Sequence, residues 1–160
     1  MKFSAAILLF RHKHSLMEVF LVHPGGPFWT KKDAGAWSLP KGEYLEEEDP
    51  LAAAKRELKE EISLSVDGEF LPLGEVQQSR SKRVTAWALE YDFDPSQIKS
   101  NSFTLEWPPK SGRMQEFPEV DSGAWFSLSA ANDKLTSGQR PFLTRLSEKL
   151  AALGDSSAKT

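Results

Sequence analysis

The sequence contains no cysteine among its 160 residues. Disulfide bonds, thiolate nucleophiles and cysteine-ligated zinc are therefore excluded, and the absence suits a reducing compartment. An excess of one charge sign is also lacking, because 20 basic and 23 acidic side chains leave a formal net charge of -3. This balance argues against a general surface for long nucleic acid or for an anionic membrane. A small basic pocket for a phosphorylated ligand is still compatible with it.

Long hydrophobic runs are missing as well. The apolar run from Ala5 to Phe10 ends at Arg11, which makes it too short for a typical signal-peptide core or for a membrane span. We therefore expect a soluble cytoplasmic protein without membrane association. With 39% apolar and 27% charged residues, the chain fits one globular domain, which we assign to residues 1–153. We expect residues 154–160 to form a flexible C-terminal tail.

Strand-like segments surround one strong helix signal. Asp49 is a favourable N-cap, Pro50 suits the first helical position, and the residues that follow, up to Ile62, are almost all strong helix formers. A second, amphipathic helix is predicted over 141–153. Strands are predicted at 3–10, 17–23, 70–78, 82–93, 102–107 and 124–128, an extended piece at 36–42, turns at 12–15, 79–83 and 132–136, and loops at 24–28 and 108–113. This order indicates an α+β or mixed α/β fold class.

The predicted helix carries three glutamates, Glu57, Glu60 and Glu61, at positions i, i+3 and i+4. This spacing places all three on one side of a helix, where their negative charges repel one another unless a cation joins them. A donor set made only of carboxylate oxygens favours magnesium, manganese or calcium over zinc. A solvated acidic face is the alternative interpretation, since charge runs usually face water. Against it, Arg56 lies two turns after Glu48 and could tie the preceding loop to the helix by a bidentate ion pair.

The same residues resemble the Nudix box, a motif of Nudix hydrolases with the pattern G-x5-E-x7-R-E-U-x-E-E-x-G-U, where U is a bulky aliphatic residue. The stretch from Gly42 to Leu64 matches every fixed position except the second glycine, which is Ser63 here. Six defined residue types at ordinary usage recur by chance in such a chain at a rate of roughly one in 10^5. The resemblance implies a Nudix-type α/β/α sandwich with a mixed sheet. At Ser63 we expect a cost of about 1 kcal/mol or a different helix cap, because glycine adopts the left-handed conformation most easily.

The resemblance also implies roles for individual residues. Glu57 and Glu61 would be direct metal ligands for Mg²⁺, or Mn²⁺, and Glu60 would be a ligand or act through water. The backbone carbonyl of Lys41 could complete the metal site, and Gly42, Glu48 and Arg56 would support it structurally. The general base would come from the box or from a later loop. Glu116 and Glu119 are the candidates in the later loop, and for each of them a solvated position is the alternative. Phosphate-binding candidates are Lys41 beside the box, Arg83 in the basic turn that also holds Arg80 and Lys82, and Lys110 and Arg113 in a later loop.

The resemblance implies metal-dependent hydrolysis of a diphosphate linkage by activated water, in a substrate that carries a nucleoside diphosphate. Among such substrates we favour dinucleoside polyphosphates and nucleoside triphosphates. The segment 92–121 is a candidate for the region that determines substrate specificity. The alternative is a non-catalytic module that binds nucleotide or metal on the same scaffold. The presence of every box carboxylate disfavours that alternative. The expected partner is a nucleotide-type small molecule. The sequence leaves open whether the chain forms a homodimer. Five tryptophans could stack on a base, and we expect one of them to do so.

Overall fold

The computed structural model describes residues 1–153 of the chain. The predicted tail, 154–160, lies outside the described residues. Within these described residues there are three helices: α1 (Pro50–Ile62), α2 (Leu128–Lys134) and α3 (Pro141–Ala152). Short 3₁₀ turns occur at Pro95–Gln97 and Ser137–Gln139. The strands are β1 (Lys2–Lys13), β2 (Leu16–Pro24), β3 (Lys41–Glu43), β4 (Leu71–Ser79), β5 (Lys82–Glu90), β6 (Ser102–Glu106), β7 (Met114–Pro118) and β8 (Val120–Ser127).

Six strands form one mixed sheet. The order is β4-β5-β1-β2-β8, with β3 also paired to β1. The β1–β5 pair is parallel, whereas β2, β3, β4 and β8 make antiparallel pairs with their neighbours. Strands β6 and β7 form a separate antiparallel hairpin. The mixed sheet predicted from the sequence is confirmed.

Each face of the sheet buries its own apolar core, because successive side chains of a strand point to opposite faces. On one face, Ile7 and Leu9 of β1 pack with Leu58 and Ile62 of α1. On the other face, the β1 side chains that alternate with them pack with α2 and α3, notably Phe142. The result is a helix–sheet–helix sandwich, as expected. Among the described residues, no helix is long and apolar enough to cross a membrane.

Strands β1 and β2 separate from one another halfway along β1, and this opens the space for the box. β2 pairs with β1 between Phe10 and Lys13, close to their turn. Beyond that point β3 lies beside the other half of β1, from Ser4 to Ala6. The segment that leads into β3 is held to β2 instead, since Ser38 and Val22 exchange two backbone hydrogen bonds of 2.9 Å. The start of the box therefore lies in the fork between the two strands.

Helix α1 begins as the sequence predicts. The Asp49 side chain accepts a hydrogen bond of 3.0 Å from the Ala52 N–H, and Pro50 occupies the first turn, where a missing N–H costs nothing. The helix ends at Ser63 in the left-handed conformation, with φ 61° and ψ 32°. Its N–H donates to the Lys59 carbonyl at 2.8 Å, and its hydroxyl donates to the Lys99 carbonyl at 2.7 Å. Serine thus keeps the cap conformation that glycine favours, with an added hydrogen bond to a later segment.

Several predicted boundaries differ from the structure. The predicted turn at 132–136 is wrong in part, because α2 continues to Lys134; its first turn is capped by the Ser127 hydroxyl, and its Ala131 is fully buried. Only one strand was predicted between 92 and 121, whereas the segment forms the β6–β7 hairpin. The β1–β2 turn is narrower than predicted, with His14 and Ser15 both at positive φ, as a two-residue hairpin turn requires.

The hydroxyl of Ser63 gives a stability prediction. Ser63→Ala keeps the strained left-handed conformation but loses the bond to Lys99, so the free energy of unfolding should fall by about 1 kcal/mol. Ser63→Gly loses the same bond but also relieves the strain, so it should change the free energy by less than about 0.5 kcal/mol. Urea denaturation of the three proteins measures both values. Equal losses in the two variants would contradict this account of the cap.

Candidate active site

A very close contact within the box joins Gly42 of β3 to Glu57 of α1. A Cβ atom added to Gly42 would lie 2.0 Å from the Glu57 carboxyl carbon and 2.1 Å from Glu57 Oε2. Real Cβ atoms essentially never come so close to another heavy atom. Gly42 faces α1 because it pairs with Ala5, whose side chain belongs to the core on that side. The glycine is therefore required so that the partly buried Glu57 carboxylate can lie directly on β3.

Glu61 lies one turn further along α1 and reaches the same strand. Its carboxylate accepts a hydrogen bond from the Lys41 backbone N–H. Withdrawal from water raises the pKa of Glu61 to about 8; the Lys41 ammonium opposes this, while the Glu119 and Glu57 carboxylates add to it. Burial likewise raises the pKa of Glu57, an effect that Arg56 opposes. Two carboxylates that resist ionisation side by side indicate a place where extra positive charge would be strongly stabilised.

The Lys41 carbonyl faces the same side as its N–H. Ile7 donates to the Pro40 carbonyl and Tyr44 donates to the Phe3 carbonyl, both across the β1–β3 ladder. In an antiparallel ladder hydrogen-bonded and non-hydrogen-bonded pairs alternate, so the polar backbone groups of Lys41 turn away from β1. The Lys41 carbonyl oxygen is thereby directed towards the carboxylate side of the fork.

Arg56 connects the acidic groups of the box. One guanidinium nitrogen lies 3.0 Å from Glu48 Oε2 in the loop before α1, and the other lies 2.9 Å from Glu57 Oε1 and 3.2 Å from Glu60 Oε2. Glu48 also accepts the Leu45 backbone N–H at 3.3 Å. The Leu45 N–H and Arg56 together lower the pKa of Glu48. The loop is thus tied to the helix, and the same side chain supplies positive charge to two further carboxylates.

Of the two base candidates, the structure brings only Glu119 to these groups. Glu119 follows β7, and its carbonyl accepts the Gly25 N–H at 2.9 Å while its own N–H donates to the Asn101 carbonyl at 2.7 Å. A small cavity at the fork is lined by Val22, Pro24, Ser38, Leu39, Lys41, Glu61, Glu119 and Val120. Glu116 lies on β7 opposite Thr104, on the exposed face of the hairpin. It is not part of this cavity.

The basic candidates are divided between three places. The pKa of Lys41 is lowered by burial and next by Lys82, which places the two ammonium groups near one another. Arg83 is held by Glu75, with 2.8 Å between Nη1 and Oε1. Lys110 and Arg113 lie in the exposed turn of the β6–β7 hairpin.

The sequence prediction named the basic turn with Arg80, Lys82 and Arg83, and it selected Arg83 rather than its neighbour Lys82. Lys82 shares a face of β5 with Val84 and Ala86, and Ala86 and Lys41 both pair with Ala6 of β1. The period-two pattern of this strand is visible in the sequence. Its pairing with β1 is a non-local property that the pattern does not reveal.

The strand that carries Lys41 is held in place from behind by a buried glutamine. Gln139 is fully buried in the 3₁₀ turn before α3. Its side-chain oxygen accepts the Leu39 N–H at 2.9 Å, and its amide nitrogen donates to Ser38 Oγ at 3.1 Å and to Gln78 Oε1 at 3.0 Å. A buried amide with every partner present is rigid, because breaking any of these bonds leaves an unsatisfied polar group.

A larger cavity of about 650 Å³ lies elsewhere, between β1, β5 and α3. Phe10, Leu89 and Leu150 contribute to its walls, together with His12 and Glu90. It contains none of the box carboxylates. The smaller cavity at the fork is therefore the better candidate for a chemical site, since the ionisable groups with perturbed pKa values gather there.

The donor groups at the fork fit a hard divalent cation in type. Carboxylates of Glu57 and Glu61 and a backbone carbonyl are the oxygen ligands that magnesium and manganese prefer. Within residues 1–153, however, no group of three or more acidic or histidine side chains is arranged closely enough to hold a metal ion as it stands. Glu57 and Glu60 are bonded to Arg56 instead. The residues therefore fit such an ion in chemistry, with Arg56 supplying positive charge to two of them.

Comparison with known proteins identifies the family and the fold. The family model described as NUDIX domain matches residues 2–146. No curated protein matches the chain at a significant level. A Caenorhabditis elegans Ap4A hydrolase, solved as a binary complex, superposes with a TM-score of 0.63 at 20% identity, over 95% of this chain and 99% of that one. The MutT protein of Methanosarcina mazei Go1 gives 0.60 at 20% identity, over 93% and 94%. The NUDIX domain of Shewanella oneidensis NrtR, in complex with ADP ribose, gives 0.61 at 16%, over 92% and 87%.

At these identities the structural likenesses establish the fold. The family model covers most of the sequence, and the chain belongs to the NUDIX domain family. The resemblance drawn from the box is thereby confirmed at the level of the family. Membership supports the assignment of the chain as a pyrophosphohydrolase.

The contact between Gly42 and Glu57 can be tested without any ligand. Gly42→Ala should lower the free energy of unfolding by about 1–3 kcal/mol in chelator, because the new methyl group overlaps the Glu57 carboxylate. The neighbouring Glu43→Ala removes only an exposed ion pair with Lys2 and should cost less than about 1 kcal/mol.

A double-mutant cycle isolates the cause of this loss. In a Glu57→Ala background the obstructing carboxylate is gone, so Gly42→Ala should cost much less than it does alone. Both values come from chemical denaturation. An equal cost of Gly42→Ala in the two backgrounds would show that the carboxylate is not what excludes the methyl group.

Proposed function

We propose that the chain hydrolyses a diphosphate linkage in a nucleotide-type substrate and that it requires a divalent cation, Mg²⁺ or Mn²⁺. The observation that carries this proposal is the meeting of three carboxylates at one fork, from Glu57, Glu61 and Glu119, beside the ammonium group of Lys41. Acidic groups that repel one another favour cations, and a neighbouring ammonium group favours a polyanion. A diphosphate bound through a divalent cation satisfies both.

Glu57, Glu61 and the Lys41 carbonyl are the groups that would hold the cation, with Glu60 as a further ligand or a partner through water. The bound cation would neutralise the diphosphate and lower the pKa of an attacking water. Gly42 lets the Glu57 carboxylate lie against β3, and the Lys41 N–H orients Glu61. Glu48 and Arg56 fix the loop in front of α1. These supporting groups keep the ligands in position without touching the substrate.

Glu119 is the proposed general base. It lies on a different element from the ligands on α1, and its carboxylate is close enough to Glu61 and Glu57 to contribute to their raised pKa values. Its backbone is held on both sides by the bonds to Gly25 and Asn101. A fixed carboxylate across the cavity from the ligands can accept a proton from water that attacks a phosphorus atom.

Lys41 and Lys82 are the proposed contacts for phosphate oxygens. Neither ammonium group forms an ion pair within 4.0 Å among the described residues. The positive charge of Lys82 contributes to the lowered pKa of Lys41. Arg83 is bonded to Glu75, so phosphate would have to compete for it.

Substrates with two nucleosides or with a nucleoside triphosphate are preferred. The preference for substrates with two nucleosides draws support from the similarity to a C. elegans Ap4A hydrolase.

The first experiment is a substrate panel of dinucleoside polyphosphates, nucleoside triphosphates, nucleotide sugars and dinucleotide cofactors, each with magnesium, with manganese and with chelator. Release of phosphate or nucleoside monophosphate should require the metal. Glu57→Gln and Glu61→Gln should each lower kcat on the order of 10³-fold, because a lost ligand removes several kcal/mol of charge stabilisation. Glu48→Gln should lower it by only about tenfold, as expected for a supporting group.

The outcomes separate the candidate functions. Near-normal turnover in both Glu57→Gln and Glu61→Gln would remove these residues from the metal site. No turnover of any panel member, with magnesium still raising the melting temperature, would favour the alternative of a binding module. Absence of both turnover and any metal effect would leave the acidic side of α1 as a structural feature only.

A matched pair of variants tests the base. Glu119→Gln should lower kcat by roughly 10²–10⁴-fold and leave the magnesium-induced rise in melting temperature intact, because it removes proton acceptance but no ligand. Glu116→Gln, three residues earlier on the exposed face of the hairpin, should leave kcat unchanged. The two kcat values, measured with saturating metal, decide between the candidates. Equal loss in both variants, or in neither, would refute the assignment of Glu119.

A further inference from the structure

Two large aromatic side chains are exposed to solvent on the loop that follows β2. Phe28 is 57% exposed and Trp29 is 39% exposed. Trp107, at the end of the β6–β7 hairpin, packs edge-to-face against Phe28 with 5.3 Å between ring centroids. The other tryptophans are committed to the interior: Trp37 to one core, and Trp87 and Trp125 to the other. We call Phe28, Trp29 and Trp107 the aromatic platform.

The loop that carries the platform is held in place by its own hydrogen bonds. Thr30 donates from its hydroxyl to the Gly26 carbonyl at 3.0 Å, and the Lys32 N–H donates to the Trp29 carbonyl at 2.9 Å. Buried His23 donates from Nε2 to the Lys32 carbonyl at 2.6 Å, and its Nδ1 lies 2.8 Å from Asp121. The exposed rings are thus presented by an ordered loop, which reduces the entropy lost when a ligand binds them.

The hairpin joins the platform to the carboxylate fork. At one end, Gly26 lies against the Phe103 ring, and Gly25 bonds to the backbone of Glu119. At the other end, Trp107 donates its N–H to the Arg113 carbonyl. Pro118 lies five positions after Arg113 along β7, which corresponds to a distance of about 17 Å. A ligand that touches both ends must therefore be extended.

Positive charge accompanies the aromatic rings. Arg113 lies opposite Trp107 across the hairpin, and the Lys32 ammonium lies 5.0 Å from the centre of the Trp29 ring. Lys31 and Lys110 are exposed nearby in the same loop and hairpin turn. Glu106 bonds to the Lys110 backbone N–H, and Asp33 is bonded to Lys134. Aromatic faces beside cations are the combination that binds bases linked by phosphates.

We propose that the aromatic platform stacks on the second base of a substrate whose two bases are joined by a chain of phosphates. This rests on the proposed function, because the cleaved diphosphate occupies the fork while the remaining phosphates follow the hairpin towards Arg113. A nucleoside triphosphate, with its phosphates at the fork, has no second base to place on the rings. The platform thus selects dinucleoside polyphosphates from the two substrate classes named above.

The test measures binding separately from turnover. Diadenosine tetraphosphate and ATP are titrated with magnesium into full-length Glu119→Gln protein, in which cleavage is slowed by loss of the proposed base while the proposed metal ligands are kept. Phe28→Ala and Trp107→Ala in this background should each raise the Kd for diadenosine tetraphosphate roughly tenfold, since stacking on one base is lost. The Kd for ATP should not change. Leu16→Ala, which removes a 66% exposed apolar side chain from the β1–β2 hairpin, is the matched control and should change neither value.

Each outcome decides the proposal. A selective loss of diadenosine tetraphosphate binding in Phe28→Ala, which removes a mainly exposed ring, supports it even if the Trp107 variant is less stable. Equal effects on both ligands, no effect on either, or no binding of diadenosine tetraphosphate by the Glu119→Gln protein would overturn it. A change of oligomeric state in Phe28→Ala with unchanged nucleotide binding would instead assign the rings to a contact between copies. Selective binding without turnover by the wild-type protein would refute the proposed hydrolysis and leave the platform standing.

Discussion

The site depends on one close contact, in which the Glu57 carboxylate lies against β3 at Gly42, a residue without a side chain. The Glu57 carboxylate occupies the space above Gly42 in which any other residue would place its Cβ. This close approach sets the distance between α1 and β3, and with it the reach of Glu61, one turn later, to the Lys41 N–H. Charge repulsion on the helix is tolerated because the helix is fastened to the sheet beside it.

The fork between β1 and β2 makes that approach available. If β2 remained paired with β1 along its whole length, β3 would have no edge to join. The structure fills the opening with the segment from Ser38 to Glu43, which is bonded to β2 at Ser38 and to β1 at β3. Gln139 holds the back of this segment through hydrogen bonds with Leu39 and Ser38, and a further bond joins it to Gln78 of β4. The carboxylates therefore lie against a backbone that is fixed from three directions.

The local features of the site could be predicted from the sequence. The N-cap at Asp49, the helix to Ile62 and the shared side of Glu57, Glu60 and Glu61 all depend on residues within a few positions of one another. The cap at Ser63 was predicted as either costly or altered, and its conformation is unaltered. What was missing from that prediction is the bond to Lys99, which lies 36 residues away along the chain.

The non-local features could not be predicted in the same way. Glu116 and Glu119 were equivalent candidates, because their separation depends on which face of β7 meets solvent and where the hairpin ends. The positions of Lys82 and Arg83 could not be told apart for a similar reason. Strand register decides which of the two side chains shares a face with Lys41. The strand β7 itself, with three polar or flexible residues among five, has little strand signal until its partner β6 is present.

Arg56 has a consequence for selectivity among ions. Its guanidinium already holds Glu57 and Glu60, and it is tethered to the same helix turn as both. A tethered group competes at a high effective concentration, which no salt in free solution matches. An ion from solvent can bind these carboxylates only if its attraction to them exceeds that of the guanidinium it replaces. Compact divalent ions meet this condition far more readily than sodium or potassium, because their charge density is higher. If a divalent cation binds here, as proposed above, the arginine would be its built-in competitor for these carboxylates.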